Sequence, residues 1–214
     1  MARQRRSRPS TELLNRTHTV QNPWDIRPQA LRGDREPKEL FVAVGEALTE
    51  WENVESSLAQ LFAVFVSARG KSTFWKPAVQ AYGSIASFKS RCEMVRVAAD
   101  AFFDTRKSLE VAKPRLKTLM TEAGQYSGRR NEIAHGKVSE LFWNSPGRAA
   151  KSGGFYLLPS LFNPRKVKKS TGLSYLYTST DLTHYRQEFT KLHLRIEGFR
   201  RDLLKRPQPS PQKL

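Results

Sequence analysis

Cysteine and histidine are scarce in this chain of 214 residues, which contains one cysteine and four histidines. A single cysteine excludes an internal disulfide bond, and residues so few and scattered form no recognisable zinc-binding motif. Long apolar runs are also missing, because no stretch approaches the roughly 20 residues that a membrane-spanning helix needs. No apolar segment follows the first arginines, so the sequence does not indicate an export signal. We therefore expect a cytoplasmic protein that does not enter a membrane and uses neither a metal nor another cofactor.

Acidic residues are the other deficit, with 20 Asp and Glu against 37 Lys and Arg and a formal net charge of +17. The excess is unevenly distributed. Residues 39–140 hold 14 basic and 12 acidic side chains, whereas residues 141–180 hold six basic side chains and no acidic one. Residues 1–38 add nine basic side chains against four acidic ones. A nearly neutral body with basic attachments predicts attraction to a polyanion such as RNA.

The two ends of the chain differ in composition from its centre. Residues 1–38 are rich in arginine and proline and show no apolar periodicity, which predicts a disordered basic N-terminal tail. Residues 205–214 contain three prolines and predict a flexible C-terminal tail. We expect a single helical domain over residues 39–204.

Apolar residues in that domain recur at alternating spacings of three and four, which is typical of one buried helix face. The stripes predict four helices, over residues 40–66, 85–102, 114–135 and 180–203, with a loosely helical connector at 71–82. Strand-like alternation predicts a long-looped β-hairpin over about residues 153–178. The predicted fold is mainly α: a four-to-five-helix bundle with a β-hairpin insertion before the last helix and disordered basic tails.

Two charged residues fall on predicted inward faces. Glu55 lies inside the apolar stripe of the first helix, where an unpaired carboxylate would be costly. In the third helix, the inward stripe at 116, 120, 123 and 127 continues to Arg130 and Ala134. We expect Glu55 and Arg130 to pair, and Gly136 to end the helix in the left-handed conformation.

The segment Arg129-Arg130-Asn131-Glu132-Ile133-Ala134-His135-Gly136 resembles the HEPN (higher eukaryote and prokaryote nucleotide-binding) superfamily. Its pattern is an arginine, usually followed by a polar residue such as asparagine, then a histidine roughly four to six residues after the arginine. The resemblance implies a helical bundle that forms a homodimer, with the two motifs lining a shared cleft. It implies metal-independent endoribonuclease activity in one branch, and nucleotide or protein binding without cleavage in others.

The same residues suit RNA cleavage by the RNA's own 2′-hydroxyl, which needs a base, an acid and positive charge at the phosphate. We expect His135 to transfer protons, Arg130 to hold the phosphate, Asn131 to orient either group, and Glu55 to support the set. Five residues turn a helix by about 140°, so Arg130 and His135 point apart within one subunit and a dimer becomes part of the mechanism. Two structural alternatives remain open. Arg130 and Glu55 form only an ion pair that holds two helices together, or the charge of His135 only stabilises the C-terminal end of the helix.

Basic and aromatic residues are interleaved after position 136. Cations contact phosphates and aromatic faces stack on unpaired bases, so the mixture favours single-stranded RNA. The alternatives are that the aromatics only pack the hairpin onto the helices, and that the basic surface meets an acidic protein, as in a toxin–antitoxin pair. The residues expected to bind nucleic acid are Arg129, Lys137, Arg148, Lys151, Arg165, Lys166, Lys168 and Lys169.

Overall fold

The computed structural model of the chain describes residues 22–67, 75–143, 151–160, 167–168 and 172–205. The helices are α1 (Pro37–Val66), α2 (Trp75–Ser84), α3 (Phe88–Asp104), a 3₁₀-helix (Lys107–Ala112), α4 (Lys113–Ala134) and α5 (Ser179–Lys205). The strands are β1 (Gly136–Trp143), β2 (Lys151–Pro159), β3 (Val167–Lys168) and β4 (Gly172–Leu173). The predicted mainly α bundle with a β-hairpin before the last helix is confirmed.

The longest helix, α1, forms the centre of the bundle and packs along most of α5. Its inward stripe includes Trp51, which is 1% exposed and meets Phe88 of α3 and Phe189 of α5 edge to face. One aromatic side chain therefore joins three helices, and burying it contributes more than a single apolar contact would. None of the helices in the described ranges combines the length and apolar character that crossing a bilayer requires.

The ordered domain begins earlier than predicted. Residues 22–36, which we call the N-terminal strap, pack against the domain, although they belong to the predicted tail 1–38. The backbone of Asp34 pairs with that of Phe155 in β2 in both directions, at 2.9 Å each. The Asp34 carboxylate also accepts hydrogen bonds from the Ser179 backbone N–H (2.8 Å) and hydroxyl (2.6 Å) at the start of α5. The first part of the predicted tail, residues 1–21, and most of the predicted C-terminal tail lie outside the described residues.

The main strand pairing also differs from the prediction. β2 pairs along its length with β1, in the antiparallel register Gly136↔Pro159 to Trp143↔Lys151, rather than with residues 173–177. One bridge, Leu157↔Tyr177, joins the two predicted strands. Gly136 has no positive φ and starts β1 directly instead of ending α4 in the left-handed conformation. A Cβ there would lie 2.7 Å from the Leu157 side chain, so close packing explains this glycine.

The buried face of α4 is rotated slightly from the prediction. Tyr126 and Ile133 are buried at 3% and 1% exposure, whereas Ala134, predicted inward, is exposed. Arg130 is half-buried. Glu132 is 3% exposed although it lies off the apolar stripe, because the chain before α5 covers that side of the helix.

The last helix begins with a reciprocal cap. The Thr178 N–H donates to Oδ2 of Asp181 (3.0 Å), and the Asp181 N–H donates to Oγ1 of Thr178 (3.4 Å). This arrangement satisfies backbone donors that the first turn of a helix leaves free. Arg27 of the strap reaches the same Asp181 carboxylate at 3.2 Å. The strap and the cap together fix where α5 starts.

Candidate functional site

An open groove of about 350 Å³ lies at the C-terminal end of α4. Asn131 and His135 line it from the helix, where a spacing of four places them on one face. Ser160, just after β2, and Tyr175 line the opposite side. The His135 side chain is exposed, and its backbone N–H donates to the Asn131 carbonyl at 3.1 Å. The groove therefore brings together the exposed imidazole of His135, the exposed amide of Asn131 and the half-buried hydroxyl of Ser160, next to the buried Glu132 and Tyr175.

Arg130 touches this site through Asn131. Its Nη1 donates to Oδ1 of Asn131 at 3.2 Å. Arg130 is not among the described residues that line the groove, and its buried Nε finds no hydrogen-bond partner among them. Arg130 thus contacts the amide beside His135 but does not line the groove itself.

The neighbouring Arg129 lies in a buried polar cluster. Its Nη1 is 2.9 Å from Oε2 of Glu132 and donates to Oη of Tyr177 at 3.1 Å. Tyr177 in turn donates to Oε2 of Glu132 at 2.6 Å. Burial would lower the pKa of Arg129, but Tyr177 and Glu132 raise it above its ordinary value, so the guanidinium stays charged. Burial, together with Tyr185 and Glu132, raises the pKa of Tyr177, so this hydroxyl stays protonated as a donor.

Glu55 does not meet Arg130, which corrects the predicted pair. Its Oε2 lies 3.0 Å from Nη1 of Arg91 in α3 and accepts a hydrogen bond from the Tyr82 hydroxyl at 3.0 Å. Its Oε1 accepts from Nε1 of Trp51 at 3.3 Å. Burial and the adjacent Glu55 raise the pKa of Tyr82. The carboxylate predicted to support catalysis instead joins α1, α2 and α3.

Of the eight basic residues predicted to bind nucleic acid, Arg129 is instead held inside the domain by Glu132 and Tyr177, and three others are described in the strands. Lys137 is exposed near the groove, opposite Leu158 in the register, and Lys151 is exposed at the other end, opposite Trp143. Lys168 belongs to β3. The remaining four lie outside the described residues: Arg148, Arg165, Lys166 and Lys169.

The aromatic residues of this region divide into buried and exposed ones. Tyr175 and Tyr177 are at most 2% exposed and belong to the main core, so the alternative that the aromatics pack onto the helices is confirmed for these two. Tyr156 is also buried, but its hydroxyl donates to the Ala30 carbonyl of the strap. Phe142 is 56% exposed and lies in β1 opposite Ser152. Lys151 lies one register position further along, opposite Trp143, so its side chain projects from the other face of the hairpin.

A second groove, of about 550 Å³, lies between α1 and α3. Its walls are mostly apolar, and Val97 at its centre is 62% exposed. The apolar side chains that line it are Phe62, Met94, Val97, Ala98 and Ala101. The residues that line this groove include no histidine or arginine.

Three residues of the site were missed by sequence reasoning: Glu132, Tyr175 and Tyr177. The spacing of three between Arg129 and Glu132 was a usable signal for a pair on one helix surface, whereas the tyrosines come from a distant segment. In the part of the chain that the structure describes, no three His, Cys, Asp or Glu side chains cluster closely enough to hold a metal ion. Comparison of the chain with protein-family models, with curated proteins and with solved structures gives no match.

Proposed function

We propose that this protein binds single-stranded RNA at the α4 groove and cleaves it without a metal ion. The observation that carries the proposal is the shared groove of Asn131 and His135, with the guanidinium of Arg130 bonded to the Asn131 amide at 3.2 Å. The net charge of +17 supports a polyanionic substrate. The resemblance of residues 129–136 to the HEPN motif points the same way.

The proposed reaction is an attack by a ribose 2′-oxygen on the adjacent phosphorus. His135 takes the proton of the 2′-hydroxyl while the new P–O bond forms. The bond from phosphorus to the 5′-oxygen breaks, and that oxygen leaves with a proton from a second acid, giving a 2′,3′-cyclic phosphate and a free 5′-hydroxyl. Positive charge beside the phosphate stabilises the five-coordinate transition state.

Self-association belongs to the proposal because each subunit's Arg130 lies outside the groove that its own His135 lines. A second copy can supply the missing cation and acid. The apolar groove between α1 and α3 is the surface best suited to that copy, since Val97 and its neighbours leave apolar area in contact with water.

A second candidate is binding of nucleic acid without cleavage. It is favoured by the roles of Arg129 and Glu55, which are both held in ion pairs inside the domain. In that case the exposed Lys137 and Lys151 carry the binding, and His135 only ends α4. A helical module that captures an acidic protein through the same basic surface is a third outcome of the tests below.

The test compares cleavage of a single-stranded RNA by wild type, His135→Ala and His184→Ala in the presence of a chelator. His184 is a matched control, because it is a half-exposed histidine on α5 whose Nε2 contacts the Pro23 carbonyl of the strap, outside the groove lining. We expect wild type and His184→Ala to cleave equally and His135→Ala to lose at least about 100-fold in rate. A substrate with a 2′-deoxy sugar at the cut site should resist cleavage.

Each contrary result selects another candidate. Cleavage that survives His135→Ala refutes the proposed role of this histidine. Binding that weakens with salt but gives no cleavage selects the non-catalytic module. A protein that ignores RNA and binds an acidic protein selects the third candidate.

A further inference from the structure

The last turn of α4 ends against two tyrosines that come from the chain just before α5. The Tyr175 hydroxyl donates to the backbone carbonyl of Glu132 at 3.0 Å. The Tyr177 hydroxyl donates to the carboxylate of the same residue at 2.6 Å. Glu132 lies between Asn131 and His135 in the sequence, so both contacts fall on the turn that carries the proposed reaction groups.

The Tyr175 contact replaces a bond that the helix cannot make for itself. The last carbonyls of an α-helix lack an N–H donor one turn further on, and a buried carbonyl left unpaired is costly. The Asn131 carbonyl is satisfied by the N–H of His135. Within the same turn, the Glu132 carbonyl accepts its hydrogen bond from the Tyr175 hydroxyl rather than from a backbone N–H of the helix. A side chain 43 residues further along therefore closes the helix end.

The two tyrosines are themselves firmly held. Tyr175 and Tyr177 are 2% and 0% exposed, and their rings stack with centroids 4.8 Å apart. The Tyr177 backbone exchanges two hydrogen bonds with Leu157 in β2, at 2.8 and 3.1 Å. Leu157 in turn packs where Gly136 begins β1. The two rings are thus anchored to the strand beside the end of α4.

We infer that Tyr175, supported by the stacked ring of Tyr177, is a positioning residue that holds the last turn of α4 in the geometry that RNA cleavage requires. The inference rests on the proposed function, because it assigns these tyrosines a role at the same groove. Tyr175 acts through the helix end that carries Asn131 and His135. Displacement of a reacting group by about 1 Å can cost an enzyme about 100-fold in rate, so the loss of one such contact is measurable.

The experiment compares Tyr175→Phe with Tyr156→Phe. The two changes remove the same atom from buried tyrosines that each donate to a backbone carbonyl, but the Tyr156 hydroxyl bonds to Ala30 of the strap at 3.3 Å. Two quantities are measured in the full chain: hydrogen exchange of the His135 amide, and kcat and KM for RNA cleavage. We expect Tyr175→Phe to accelerate exchange of that amide and to lower kcat about tenfold, with KM little changed. Tyr156→Phe should leave both quantities as in wild type.

The outcomes separate this inference from the proposed function. If wild type cleaves RNA and Tyr175→Phe keeps full kcat, the inference is overturned while the proposed function stands. If wild type does not cleave RNA, the proposed function fails, and the exchange measurement alone decides whether Tyr175 holds the helix end. Equal exchange of the His135 amide in both variants overturns the inference in either case.

Discussion

Glu55 shows how one buried carboxylate can be fully satisfied inside a helical bundle. It is 7% exposed and receives three donors, from Trp51, Tyr82 and Arg91. Burying a charge is unfavourable unless partners replace the lost water, and here an ion pair and two neutral donors do so. The cluster gives the interface of α1, α2 and α3 a specific geometry that apolar packing alone would not impose.

We expect Glu55→Gln to lower the free energy of unfolding by about 2 kcal/mol, because it leaves the half-buried Arg91 without its counter-charge. Urea denaturation of the variant and wild type measures the change. Glu52→Gln is the matched control, since Glu52 is exposed on the same helix and should change stability by less than about 0.5 kcal/mol. If the Glu55→Gln protein keeps its stability but loses RNA cleavage, the original prediction that Glu55 supports catalysis is correct.

The N-terminal strap is an element that depends on two glycines in direct contact. Gly33 donates from its backbone N–H to the Gly153 carbonyl at 2.8 Å, and a Cβ on Gly33 would lie 2.4 Å from the Phe155 carbonyl oxygen. Gly154, at φ +96°, adopts the left-handed backbone that favours glycine and packs against Gly33 from the other side. The strap can pair with β2 only because both segments have a glycine, and so no side chain, where they cross.

Gly33→Ala should therefore displace the strap and lower the free energy of unfolding by about 2 kcal/mol. Limited trypsin digestion measures the displacement, because the bonds after Arg32 and Arg35 of the strap become easier to cut.

The control for this change is Gly45→Ala on α1. Gly45 is exposed and a Cβ there meets nothing within 4 Å, so the substitution should raise stability by up to about 1 kcal/mol. If Gly33→Ala were as stable and as protease-resistant as wild type, the close crossing of strap and β2 would be refuted.

At the scale of the whole molecule, opposite charges join the helices of a nearly neutral body. Glu46 of α1 and Glu122 of α4 both pair with arginines of α5, at 2.6 and 2.5 Å. Glu55 of α1 and Asp104 of α3 pair with the neighbouring helices, through Arg91 and Lys113. At this scale one apolar surface stands out, on α3 around Val97.

Val97→Asp tests whether this surface joins two copies. We expect the variant to be monomeric under conditions where wild type is dimeric, because a charge at the centre of an apolar interface loses its hydration without a partner. Sedimentation velocity measures the change. Val42→Asp is the control, since Val42 is 52% exposed on α1 and does not line the groove. A dimer that persists in Val97→Asp would place the interface elsewhere.

Much of the fold was predictable because helix formation shows in local patterns. The stripes in α1, α3 and α5 repeat over several turns, and their periodicity predicts both the helix and its buried side. The hairpin was predictable only in part. Residues 155–159 were expected in a strand, but their partner β1, which follows α4 directly in the sequence, was not predicted. The candidate site was also predictable only in part. Asn131 and His135 are neighbours on one helix and were predicted together, whereas the contact from Tyr175, 43 residues after Glu132, was not.

What the sequence by itself determined is the set of helices, the neutral body and the basic excess, since each depends on neighbours within a few turns or on composition alone. Only the tertiary structure decided that Glu55 pairs with Arg91, that Arg129 turns to Glu132 and Tyr177, and that Arg130 stays outside the groove of His135. The physical reason is that the contacts of Glu55 with Arg91 and of Tyr177 with Arg129 and Glu132 join segments far apart in the chain. A charged side chain on an inward face shows that a partner is needed, whereas packing of distant elements decides which residue becomes that partner.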